Sequence, residues 1–130
     1  MSDLNSNNTD LFELIYNQQC EFQQLLLDKK MYEGFTKHSN SKLPYDDVEL
    51  TSYHMQQLIS EIGEVLATDK RWKNYRNDTS EEMLNHKKEE LADCFIVLIN
   101  LCLFSGLSAK DLVGAIIEKQ NKNYIRIKSK

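Results

Sequence analysis

Glu61 and Glu64 stand three residues apart within an apolar stretch, and Glu90 and Asp93 repeat that spacing where the most apolar run of the chain, Leu91 to Phe104, begins. On a helix, residues three apart share a face. A carboxylate among apolar neighbours is costly unless it finds a partner, so Asp93 in particular calls for a counter-charge or a cation. Four carboxylates from two helices make an all-oxygen site of the kind Mg²⁺ takes, with water and phosphate oxygens completing the shell; Mn²⁺ is the alternative ion. The competing arrangement leaves Glu61 and Glu64 solvated and pairs Asp93 with a lysine. Di-iron bundles need a histidine three residues after a glutamate, and His38, His54 and His86 are all wrongly placed for that. No cluster of cysteines and histidines offers a zinc site.

The opposite charge comes near the C-terminus. Lys119, Asn123 and Arg126 follow an i, i+4, i+7 spacing and so lie on one helical face. Arginine can bind a phosphate in a fork and lysine as a point charge, which suits a polyphosphate. Lys122, Lys128 and Lys130 lie nearby, and the same residues also fit a solvated basic tail.

These residues must be held by helices. The chain has 130 residues, with 41% hydrophobic and 28% charged side chains, the balance of one globular domain. Four glycines and one proline are too few for a many-stranded barrel or sandwich. Residues 1–8 read as a flexible polar tail, and 9–130 as a single all-α domain. Leu11, Leu14, Ile15, Phe22, Leu25 and Leu26 are helically spaced, with Thr9 or Asp10 as cap. After a loop from about Lys30 to Tyr45, Asp46 or Asp47 caps a second helix reaching about Thr68. Its apolar face is Val48, Met55, Leu58, Ile59, Ile62, Val65 and Leu66. Thr79 and Glu82 form a capping box for a third helix, which ends at Gly106. Ser108 with Asp111 starts a fourth. The expected architecture is an all-α four-helix bundle. Helices two and three are apolar over wide faces, so its core is expected to be completed by oligomerisation.

With 16 basic against 20 acidic residues the net charge is −4, and the pI of about 5.4 argues against a nucleic-acid partner. No apolar run is long enough to span a bilayer, and MSDLNSNNTD lacks the charged and apolar regions of a signal peptide. Cys20, Cys94 and Cys102 form no CxxC, and two lie in the apolar run. A reduced, cytoplasmic setting is expected.

Glu61-Ile62-Gly63-Glu64, then 25 residues, then Glu90-Leu91-Ala92-Asp93, resembles the all-α nucleoside triphosphate pyrophosphatases, the superfamily of the MazG proteins and the dimeric dUTPases. Ala115, Lys119, Asn123 and Arg126 look like its C-terminal signature. The resemblance covers about residues 11 to 127. It implies Mg²⁺-dependent hydrolysis of a nucleoside triphosphate between the α and β phosphates, giving a monophosphate and pyrophosphate. It also implies that Glu61, Glu64, Glu90 and Asp93 hold the metal, with Glu61 accepting a proton from the attacking water. Lys119, Asn123 and Arg126 would bind the β and γ phosphates. A homodimer or homotetramer follows from the same likeness.

Trp72 and Lys73 stand where similar proteins carry an aromatic-lysine segment near the substrate. Gln19 or Gln23 is placed to read a pyrimidine edge, as a first-helix glutamine does in dimeric dUTPases. Asn100, seven residues after Asp93, is placed either to orient a ligand or to bond a neighbouring helix. Two positions depart from the pattern: Ser60 stands where MazG proteins have a further glutamate, and Cys94-Phe95 where dimeric dUTPases have histidine-phenylalanine. The first expectation for the substrate is a deoxypyrimidine triphosphate, dUTP or dCTP. A broad-specificity MazG-like pyrophosphatase and a non-catalytic nucleotide- or metal-binding module are the alternatives. A helical interaction protein with its carboxylates at the surface is a further one.

Overall fold

The computed structural model describes residues 2–34, 42–73 and 79–130. These form four helices and no strand: α1 (Ser2–Asp28), α2 (Val48–Thr68), α3 (Glu81–Leu103) and α4 (Ala109–Lys128). The all-α reading holds. Helix α1 begins earlier than the apolar spacing indicates, so Thr9 and Asp10 lie inside it rather than capping it. Residues 2–10 contain neither glycine nor proline, and extending an established helix costs little per residue.

The helix ends follow local chemistry. Asp47 caps α2 by accepting the Leu50 N–H at 3.0 Å. The cap of α3 is Ser80, which accepts from Met83 N, rather than Thr79. With Met83 at the third position, the reciprocal glutamate bond of a capping box has no donor-seeking carboxylate there. Ser108 and Asp111 form the full capping box of α4. Gly106, with φ +79°, closes α3 through bonds from Leu107 N to Cys102 O and from Gly106 N to Leu103 O. That left-handed turn is one glycine adopts without penalty.

The end of α3 also organises the chain ahead of α2. Tyr45 N donates to Leu103 O at 3.1 Å and Asp47 N to Phe104 O at 2.8 Å, while the Thr51 hydroxyl donates to Phe104 O at 2.8 Å. Helix termini leave carbonyls without partners inside the helix, and here the segment entering α2 supplies them. This pins antiparallel α2 and α3 together at one end. From Asp47 forward to Glu61, and from Phe104 back to Glu90, the step is fourteen residues. Equal rise along both helices therefore brings Glu61 opposite Glu90.

The core gathers around the same end. One cluster joins Tyr16, Ile99, Cys102, Leu103 and Ala109; the other joins Tyr32, Leu43, Leu50 and Phe104. Tyr16 donates its hydroxyl proton to Leu107 O. The Tyr32 hydroxyl donates to Gln23 Oε1 at 2.5 Å, and His54 Nδ1 meets Leu50 O at 3.0 Å; the Tyr45 hydroxyl is buried without a partner among the described residues. The Leu50 carbonyl can only accept, so Nδ1 carries the proton, and Nε2 faces the Tyr32 hydroxyl at 3.4 Å. The imidazole stacks on Phe104, ring centroids 5.2 Å apart.

Away from this end the helices are bare. The buried residues of α2 are Leu50 and His54, while Val48, Met55, Ile59, Ile62 and Leu66, expected on its core face, are exposed. Helix α4 packs on α1 through Ala109 and Leu112, and every residue from Gly114 to Lys130 is exposed. The accessible surface is 9925 Å², whereas a compact monomer of 15.2 kDa has about 7,100 Å². No described helix is long and apolar enough to cross a membrane.

Burial lowers the pKa of His54 to about 4. A base with a lowered native pKa contributes stability that is complete above its unfolded value of about 6.5 and is lost as pH falls toward the native one. The urea midpoint is therefore expected to drop between pH 6.5 and 5, with a slope of at most about 1.4 kcal/mol per pH unit. In His54→Gln the slope over that interval should flatten; an equally steep fall would remove His54 as its cause.

Candidate metal centre

Helix α2 contributes Glu61 and helix α3 contributes Glu90 and Asp93, three residues apart and so on one face. A carboxylate oxygen from each lies within 4.8 Å of the other two. Glu61 and Glu90 are half-buried and Asp93 is exposed. The expectation that the apolar run buries Asp93 is thus overturned within one chain, because α2, the helix that packs along α3, leaves this residue open to solvent. Phe95, two residues on, is 66% exposed.

Glu64 lies outside this group of three and is exposed. Its charge is nonetheless felt at Glu61, whose pKa is raised by partial burial first and then by Asp93, Glu90 and Glu64. The neighbouring Cys94 thiol is pushed up by burial and by the same three carboxylates, Glu61, Asp93 and Glu90. A thiolate is disfavoured there.

Among the described residues, no lysine or arginine forms an ion pair with Glu61, Glu90 or Asp93. The lysine partner considered for Asp93 is absent from this set. The cluster's one polar neighbour of this kind is His86, whose Nε2 lies 3.2 Å from Glu90 Oε1. The glutamate-to-histidine spacing sought for di-iron sites passes over it. The reversed spacing, histidine four residues before glutamate, is the signal that finds it. The three carboxylates offer oxygen donors only, the type that hard cations prefer.

The remaining candidates are elsewhere. Gln19 and Asn100 meet each other: Gln19 Nε2 donates to Asn100 Oδ1 at 2.8 Å, joining α1 to α3. Asn100 is 4% exposed, so of its two readings the helix-to-helix bond is the one observed. Gln23 is buried against Tyr32 and does not face solvent. Trp72 is exposed, with Lys73 Nζ 5.4 Å from its ring centroid. Lys119, Asn123 and Arg126 lie on the exposed part of α4, and α4 packs on α1 rather than across the carboxylates.

Three carboxylates this close repel one another until a cation joins them. Glu61→Gln is expected to raise the Tm of the metal-free protein by about 2 °C and to abolish any further rise on adding Mg²⁺. A thermal melt with EDTA and with Mg²⁺ reads both effects. A lower Tm for the metal-free variant would mean that Glu61 is held by something other than its acidic neighbours.

No family model, curated protein or solved structure matches this chain.

Proposed function

We propose that this protein is a Mg²⁺-dependent nucleoside triphosphate pyrophosphohydrolase of the MazG and dimeric dUTPase kind, acting on a deoxypyrimidine triphosphate such as dUTP or dCTP. The observation that carries the reading is the meeting of Glu61, Glu90 and Asp93 within 4.8 Å, with no lysine or arginine among the described residues paired to them. Water adds to the α phosphorus, the α–β anhydride bond breaks, and pyrophosphate leaves, giving the monophosphate.

Glu61, Glu90 and Asp93 hold the cation, with Glu64 one turn further along α2. When bound, Mg²⁺ supplies neutralisation of phosphate charge and acidification of the attacking water. Glu61 would accept that water's proton. His86 orients the Glu90 carboxylate through its ring nitrogen, as partners of ligating groups commonly do.

The β and γ phosphates fall to Lys119, Asn123 and Arg126. Their face is exposed on the free part of α4, so the proposal places it against the carboxylates of a neighbouring copy in a homodimer or homotetramer. Two features support self-association. The surface exceeds that of a compact monomer by about 2,800 Å², well above the roughly 800 Å² each partner loses in a stable interface. Ile59, Ile62 and Phe95, all more than half exposed, flank the acidic cluster.

The test is pyrophosphate release from a panel of NTPs and dNTPs, with Mg²⁺ and with EDTA. Metal-dependent pyrophosphate, and no orthophosphate, is expected, with the deoxypyrimidine triphosphates fastest; an even rate across the panel selects the broad-specificity alternative. Asp93→Asn should lower kcat at least about 100-fold with its circular dichroism unchanged, since shape is kept and ligand charge lost. Turnover within a few-fold of wild type would take Asp93 out of the site, and no release from any nucleotide would sink the enzymatic reading. Light scattering should give a dimer or tetramer, and a monomeric mass would remove the shared site.

A further inference from the structure

Lys87 stands three residues before Glu90 on α3, on the same helical face. The Cβ atoms of such neighbours are about 5–6 Å apart, so a free Lys87 ammonium can reach the Glu90 carboxylate at the edge of the cluster. There it would satisfy the charge that a divalent cation otherwise satisfies. It goes elsewhere: Lys87 Nζ lies 2.8 Å from Asp69 Oδ2.

Asp69 is built to hold it. Its side chain is only 9% exposed. One face of its carboxylate takes Arg71 Nε at 2.9 Å and Nη2 at 2.7 Å, and the Arg71 backbone N–H donates to Oδ1 at 3.1 Å. Its own backbone N–H returns to Val65 O at the end of α2. With the carboxylate fixed from behind, the oxygen facing α3 is presented to Lys87. Asp69 is eight residues beyond Glu61 and lies past the cluster on the same helix pair.

We infer that Asp69 is a positioning residue for the metal centre: it draws Lys87 away from Glu61, Glu90 and Asp93 and leaves their oxygens open to a divalent cation. The inference rests on the metal reading above and goes beyond it, since Asp69 and Lys87 touch neither metal nor substrate. The competing role for Asp69 is to close α2, and that role does not depend on what residue 87 is.

Mn²⁺ titration of the full chain, followed by the electron paramagnetic resonance signal of the free ion, separates the two roles. Asp69→Asn is expected to weaken Mn²⁺ binding about five- to tenfold, the order of effect of one competing charge at this range. Asp69→Asn combined with Lys87→Gln should return the affinity to within about twofold of wild type, although the damaged helix end is the same in both. Lys87→Gln alone should bind Mn²⁺ at least as tightly as wild type. Unchanged binding in Asp69→Asn overturns the inference, and so does a double variant as weak as the single one. Wild-type protein that binds no Mn²⁺ overturns both this inference and the metal reading beneath it.

Discussion

The arrangement depends on the free carbonyls at the end of α3. Leu103 and Phe104 offer oxygens that no residue inside the helix can satisfy, and the segment entering α2 donates Tyr45 N, Asp47 N and the Thr51 hydroxyl to them. A buried carbonyl without a partner is expensive, so this contact is specific in a way that sliding apolar faces are not. It sets which residue of α2 lies beside which residue of α3. Shifting the two helices by one position would break these bonds and carry Glu61 away from Glu90. Gly106 takes the left-handed turn, φ +79°, that sets this end of α3 beside Asp46.

From that anchor the helix pair runs outward with decreasing support. Near it lie both core clusters, the His54–Tyr32–Gln23 network and the Gln19–Asn100 bond. Farther out, Asp69 holds Arg71 and Lys87 and ties the other end of the pair. The carboxylates sit between these two fixed points, on a stretch where neither α1 nor α4 provides cover.

Much of this was legible in the residues. Helical spacing, the Asp47 and Ser108 caps and Gly106 marked three of the helix boundaries closely, because caps act through bonds made within four residues. The meeting of Glu61 with Glu90 and Asp93 was legible as a pattern of repeated spacings. The burial of Asp93 was read wrongly, since an apolar run reports that something covers it and not whether the cover belongs to the same chain. Gln19 and Gln23 look like ligand-reading groups and Asn100 equally like a ligand-orienting or a helix-bonding one, since amides on a helix surface carry no mark of which neighbour they will find. His86 and Asp69 went unnoticed for a related reason: their roles exist only through a partner one turn or a whole connector away.

The sequence by itself determined the helices, their ends and the faces that carry charge, because those follow from interactions between residues a few positions apart. Tertiary structure alone decided the rest: which carboxylates meet, that Lys87 turns to Asp69 rather than to Glu90, and that the free part of α4 stays off the acidic face. Each of these depends on how two helices are set against each other, and that setting is made by a few bonds between segments more than fifty residues apart, which no local pattern encodes.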